Sequence, residues 1–435
     1  MKMLPTIVQA HQQIRSGQLS PLQLVDMCLQ RIEKLDDRLG AWVLVKADSA
    51  RAQAGHQEKL LAQGIDLGPL QGIPLGIKDI IDVAGWPTEA GSTLLAGRVA
   101  EQDAAVVARL RQGGAILLGK TVTTEFACLD PAGTRNPWNL HHSPGGSSSG
   151  SAAAVAAGMC LGALGSQTGG SIIRPASYCG VAGLKPTRNR VEMQGVVPVS
   201  RHLDHVGPIA ASAADLSLLL AAISDWQPPD AWQHRPPRLL VIHDYFMEQC
   251  DPAVRQVTSK ALDRLQQAGA ELDRVELPES FRNVHAMHRC IMAVEAAEAH
   301  FASFAQHPEA YSPNITALLQ EGLGTFAIDY SLSLRHQELF RQQVKEMLGD
   351  DGVAVTPATH STAPAGLDST GDPGFQAPWT YAGLPTVTIP CGLSPERLPC
   401  GLQLVASENR ENLLLDVAQW CERTLDFHEQ PPMLL

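Results

Sequence analysis

The sequence predicts an α/β fold, and three observations carry that prediction. Helix and strand signals alternate along the chain, one β-α-β unit can be read directly, and 44% of the 435 residues are hydrophobic against 18% charged, which supplies a large core. In that unit an apolar strand at 239–242 precedes Asp251-Pro252, which starts a helix ending near Gly269, and a second strand follows at 272–275.

The other elements follow in chain order. Ser20 and Pro21 supply the N-cap and first residue of a helix whose Val25, Cys28, Leu29 and Ile32 recur on one face. Gly76-Ile77-Lys78-Asp79 leads into Ile80-Ile81 and is strand-like, so by alternation Lys78 need not face solvent. Asp103 opens a helix stopped by Gly113-Gly114, and a short strand follows at 115–118. The small-residue run 151–158 forms helix readily and suits a close-packed buried element better than a solvated tether. Length alone points to two or three domains, with the proline-rich segment 226–237 as the best boundary candidate.

Two glycine-rich runs hold the candidate chemistry. Ser147 lies in Gly145-Gly146-Ser147-Ser148-Ser149-Gly150-Ser151 and Ser171 closes Gln167-Thr168-Gly169-Gly170-Ser171, with Lys78 upstream. A serine hydroxyl is a poor nucleophile near neutral pH, so attack on an amide needs a base beside it and hydrogen-bond donors facing the developing oxyanion. Glycines at 169 and 170 let backbone N–H groups approach a substrate closely. No histidine lies within either run, so the base is Lys78, provided burial keeps part of its population neutral, and Ser147 is placed to carry the proton.

These residues and their surroundings resemble the amidase signature family along nearly the whole chain. The likeness runs through segments 68–79 and 115–121, through Thr134-Arg135-Asn136-Pro137-Trp138-Asn139 and the first glycine-serine run, then through 179–187, with 383–385 and 398–404 similar to the family's closing strands. The resemblance implies a single domain over residues 1–435, a central mixed sheet surrounded by helices, with 226–237 as a surface crossing. It makes Ser171 the acyl-forming nucleophile, Lys78 the base and Ser147 the bridge, preceded by a cis peptide from Gly146, with N–H groups around Thr168, Gly169, Gly170 and Ser171 as the oxyanion hole. No cofactor is implied.

Two positions depart from the family pattern. Where Asp-Thr-Gly-Gly-Ser and Ile-Arg are usual, this chain has Gln167 and Ile173, and an arginine appears one place later as Arg174. An amide hydrogen bond from Gln167 is expected to replace the lost charge pair. Substrate choice is expected to be set by 281–335 and the loop 356–382, with Tyr330, His360, Gln376, Trp379 and Tyr381 as candidates for the pocket wall.

Other readings fall away. Neither glycine run ends in Gly-Lys-Ser/Thr and no Gly-x-Gly-x-x-Gly stands at a strand-to-helix junction, so nucleotide binding is not expected. His285, His288, Glu295 and Glu298 lack a His-Glu-x-x-His frame for a metal. A formal net charge of -12 argues against a nucleic-acid surface. Nine cysteines without a Cys-x-x-Cys pair read as free thiols, with Cys128 and Cys179 as buried structural ones. The amino terminus lacks the apolar core of a leader, and the longest apolar stretch, 152–164, is too short for a membrane span.

A cytoplasmic enzyme is therefore expected, acting on a small-molecule amide, with no nucleic acid, no membrane and at most a second copy of itself. The leading function is a free-standing amidase giving a carboxylate plus ammonia or amine. The alternatives are the glutaminase-like subunit of a tRNA-dependent amidotransferase and a non-catalytic binding protein on this scaffold.

Overall fold

Eleven strands assemble into one mixed sheet in the computed structural model, which describes residues 4–434. Residues 1–3 of the amino-terminal segment considered for a leader lie outside the described residues. In chain order the strands are β1 (Trp42–Val45), β2 (Pro74–Lys78), β3 (Ile116–Thr121), β4 (Gly162–Gln167), β5 (Ala182–Lys185) and β6 (His205–Ala210). They continue as β7 (Arg238–Ile242), β8 (Glu271–Val275), β9 (Val353–Pro357), β10 (Thr386–Leu393) and β11 (Pro399–Val405). Their spatial order is β1-β3-β2-β4-β6-β5-β10-β11-β9-β7-β8. Strand β2 runs parallel to β3 and β4, β7 runs parallel to β8 and β9, and the remaining pairs are antiparallel.

The β-α-β unit is present: β7 and β8 pair in parallel across the helix Pro252–Gln267. The closing strands return to the same sheet, where β10, β11 and β9 lie between β5 and β7. The segment 383–385 is not itself a strand but the turn that delivers β10, with Gly383 at φ 71. Residues 226–237 connect the helix Ala213–Ile223 to β7 without helix or strand.

Local signals explain the elements around the site. Ser20 caps the helix Pro21–Leu39 through a box with Gln23, and Val25, Cys28, Leu29 and Ile32 are all buried. Asp103 does not cap its helix, Ala105–Gln112, because its carboxylate accepts from Ala84 N–H and pairs with Arg111. The helix Ser149–Ala156 is buried over almost its entire length, and a Cβ at Gly150 has no room against Ala41 and Val122. That close approach seats the glycine-serine run on β3, the neighbour of the strand that ends in Lys78. No described helix is long and apolar enough to cross a membrane, and all nine cysteines are free.

Candidate active site

Lys78 is the last residue of β2 and is fully buried. Its Nζ donates to Ser147 Oγ at 2.7 Å and to Ser166 Oγ at 2.7 Å. Burial lowers the amine to about 7, with the Asp204 carboxylate acting in the opposite direction. Cys128 also lies close, but burial pushes its thiol up to about 12, so it is uncharged near neutral pH and does not stabilise an ammonium. A lysine held near 7 among hydroxyls can exchange a proton with a serine at ordinary pH; one held near its usual value cannot.

Ser147 follows a cis peptide from Gly146. It shares a cavity of about 340 Å³ with Ser171 and with Thr168, Gly169 and Gly170 of the second run. Both serines line one cavity, although no hydrogen bond joins Ser147 Oγ directly to Ser171 Oγ among the described residues. Ser171 stands between the end of β4 and the helix Ile173–Cys179, and its carbonyl accepts from Ser148 N–H at 3.3 Å, tying the two runs together.

Gln167 braces this turn. Its Oε1 accepts from Ile172 N–H at 2.9 Å and Ile173 N–H at 3.0 Å, and its Nε2 donates to Thr380 Oγ1 at 2.9 Å. Thr380 Oγ1 in turn donates to Gly169 O at 2.7 Å. The amide thus satisfies the N–H groups that open the helix and adds a donor that a carboxylate lacks. Gln167→Ala leaves two buried N–H groups without an acceptor and is expected to lower stability by about 2–4 kcal/mol. Urea denaturation checks this, and an unchanged midpoint counts against the brace.

Thr168 is fixed from two sides: its Oγ1 donates to Asp204 Oδ1 at 2.6 Å, and its carbonyl accepts from His288 Nε2 at 2.9 Å. That second bond assigns the proton to Nε2, and burial drives the His288 ring down to about 4, so it is a neutral donor. Burial pushes the Asp204 carboxyl up to about 6.

The five residues expected in the pocket wall are placed elsewhere. Trp379 and Tyr381 are fully buried in a second core cluster, Trp379 stacked on Phe246 at 5.6 Å and Tyr381 Oη donating to Ser333 O at 2.8 Å. Gln376 donates to Ala358 O behind Gly170, whose missing Cβ makes space for it. Tyr330 Oη donates to Glu295 Oε1 at 2.7 Å, and His360 packs on Phe375 at 5.9 Å. Aromatic residues next to a binding loop and aromatic residues of a core look alike in sequence, and here the apolar layer under the short helix Ala377–Tyr381 claimed them.

Both regions singled out do border the cavity, through other side chains: His285, His288 and Met292 from the first, Thr370, Asp372 and Pro373 from the second. Of the four residues weighed for a metal, His285 and His288 line the cavity, whereas Glu295 accepts from Ser200 and His202 and Glu298 pairs with Arg201. Cys128 also lines it, as a neutral thiol. Ser166 escaped the sequence reading because only the parallel register of β2 and β4, with Ile77 opposite Leu164, brings it to Lys78. Tyr245, at φ 65, lines the cavity and is likewise not signalled by the sequence. A larger cleft of about 530 Å³ opens near the chain termini beside Trp138 and Glu422 and contains none of Lys78, Ser147 or Ser171.

Comparison with known proteins adds the following. The profile of the Amidase family matches residues 23–415. A curated relative from Cyanothece sp., a glutamyl-tRNA(Gln) amidotransferase subunit, is 34% identical over 99% of this chain and 100% of its own length. Among solved structures, the vestigial protein complex that bears on the origins of an s-triazine catabolic enzyme matches with TM-score 0.89 and 30% identity, over 97% of this chain and 98% of its own. The native peptide amidase of Stenotrophomonas maltophilia matches with TM-score 0.85 and 28% identity, over 98% of each chain. One expectation is corrected by these relatives. A small-molecule amide as sole partner, with no nucleic acid, does not fit a set of relatives that are each named as part of an amidotransferase for glutamyl-tRNA(Gln).

Proposed function

The chain belongs to the Amidase family and is an amidase signature enzyme acting on amide carbon–nitrogen bonds, and from that premise we propose that it cleaves a carboxamide through an acyl-enzyme on Ser171. Neutral Lys78 takes the proton of Ser147 as Ser147 takes that of Ser171, and Ser171 Oγ bonds to the amide carbon. The oxyanion faces the N–H groups of the 168–171 turn. The proton returns along the same path to the leaving nitrogen, the C–N bond breaks, and water repeats the sequence to free the carboxylate. The observation that carries this reading is a fully buried lysine, lowered to about 7, that lies 2.7 Å from the hydroxyl of Ser147, a residue lining one cavity with Ser171. The segment 281–335 then contributes substrate selection through His285, His288 and Met292.

The released nitrogen, on this proposal, is passed on: the chain works as the glutaminase-like component of an amidotransferase. Similarity along the entire length to a polypeptide of the glutamyl-tRNA(Gln) amidotransferase supports it. A hydrolase that delivers ammonia or amine to solvent is the second reading, favoured by the likeness to the peptide amidase.

A fluorophosphonate probe followed by peptide mapping is expected to give a single adduct on Ser171, and an adduct elsewhere, or none on folded protein, removes the nucleophile assignment. Affinity purification from its native cells is expected to bring down a second chain whose presence raises ammonia release from glutamine. Full turnover of an amide by the isolated chain, with no companion recovered, selects the second reading.

A further inference from the structure

Three lysines of the sheet are fully buried, and each meets different partners. Lys120 pairs with the Asp79 carboxylate at 2.8 Å. Lys78 touches two hydroxyls, groups that donate as readily as they accept and so suit an amine that gives and takes a proton. Lys185, the last residue of β5, has no carboxylate partner among the described residues and does not border the cavity of Ser147 and Ser171. Its Nζ donates to Leu384 O at 2.5 Å and to Pro186 O at 3.0 Å, and its longest contact, at 3.5 Å, is to His205 Nε2. His205 Nδ1 stands 2.7 Å from Leu203 O, which assigns the ring proton to Nδ1 and leaves Nε2 as an acceptor.

Three acceptors around one nitrogen match an ammonium, which has three protons and no lone pair; a neutral amine turns its lone pair toward one of them. Burial disfavours the charge at Lys78 and Lys185 alike, so the contacts, not the depth, separate their roles. Two of the acceptors also belong to the arms that hold the oxyanion turn. Leu384 N–H donates to Trp379 O at 3.1 Å, which fixes it to the short helix whose Thr380 bonds Gly169 O and Gln167. On the other side His205 lies opposite Gln167 in the β4–β6 ladder, and its neighbour Asp204 accepts from Thr168 Oγ1 at 2.6 Å.

We infer that Lys185 is a positioning residue for the acyl transfer: its ammonium pins the 203–205 arm to the 380–384 arm, and the turn held between them presents its N–H groups to the oxyanion. The inference rests on Ser171 as the nucleophile and on the 168–171 turn as the oxyanion site. Lys185 touches no reacting atom. It acts through Leu384 and His205, so its loss shifts the turn and leaves the binding cavity in place. A displacement of about 1 Å at a reacting centre is enough to slow a reaction about 10²-fold.

Saturation kinetics of fluorophosphonate labelling test this, because kinact reports bond formation at Ser171 and KI reports the binding that precedes it. In Lys185→Met kinact is expected to fall about 10–100-fold per folded molecule, with KI unchanged. Thr380→Val, which cuts the link from the second arm to Gly169, lowers kinact as well, and the double variant falls by less than the product of the two, since both act on one turn. A merely structural lysine gives a lower urea midpoint with kinact unchanged in the folded protein. That result, or effects that multiply, overturns the assignment. Should Lys185→Met not fold, His205→Phe removes one acceptor, leaves the lysine in place and carries the same expectation and the same refutation. Failure of the underlying reading shows separately, as wild-type protein whose Ser171 is not labelled, and the inference then falls with it.

Discussion

Lys78→Ala is expected to lower kcat by about 10³-fold or more, because it removes the base and leaves Ser147 without its proton acceptor. The loss should not be recovered by raising the pH. In the wild-type enzyme kcat/KM should fall about tenfold per pH unit below the lysine's value, about 7, since only the neutral amine accepts the serine proton. The sign follows from burial, which disfavours the ammonium and so lowers the Lys78 value from 10.5. The Asp204 carboxylate opposes that shift. Asp204→Asn should therefore move the acidic limb to lower pH, and a limb that stayed in place would mean another group titrates. His288 is not that group, being lowered to about 4. The same shift acts on stability. The unfolded chain binds the Lys78 proton more tightly than the folded one, so this residue makes the fold more stable as pH rises from about 7 toward 10.5.

Ser171→Ala should cost still more, on the order of 10⁴–10⁶ in kcat, as loss of the nucleophile does in serine hydrolases. Binding should survive, since the turn is held by Gln167, Thr380 and Asp204 rather than by the hydroxyl. Steady-state turnover set against calorimetry on one preparation separates the two. A variant within tenfold of wild type would show that Ser171 does not carry the acyl group. Ser147→Ala should fall between these extremes, because water can occupy the space beside Lys78 and relay part of the proton traffic.

Much of this architecture is legible in the residues themselves. The β7-helix-β8 unit, the capping box at Ser20 and the buried small-residue helix after Ser147 are all written in local signals: alternation, a capping serine, a glycine where a Cβ has no room. The Lys78, Ser147 and Ser171 constellation comes from resemblance, since nothing in their spacing says that β2 and β4 lie side by side. For the same reason Ser166 is invisible in sequence. The pocket wall is misread at residue level because Trp379 and Tyr381 carry the aromatic surface expected of a binding site, yet burial in the second core cluster consumes it. The wall is made instead by His285, Tyr245 and Asp372, whose convergence depends on helix and loop placement rather than on residue type.

The position of β10 in the sheet has a consequence for synthesis. Strand β5 is complete at Lys185, but the neighbour that covers its outer edge, β10, begins only at Thr386, about 200 residues later. At about 5–20 residues per second, the ribosome takes some tens of seconds or less to deliver it. During that interval the half of the sheet bearing Lys78 and Ser171 has an open strand edge, the kind of surface that pairs with other chains. Nascent chains stalled before residue 386 should therefore bind chaperones and resist refolding alone, whereas release of the complete chain closes the sheet.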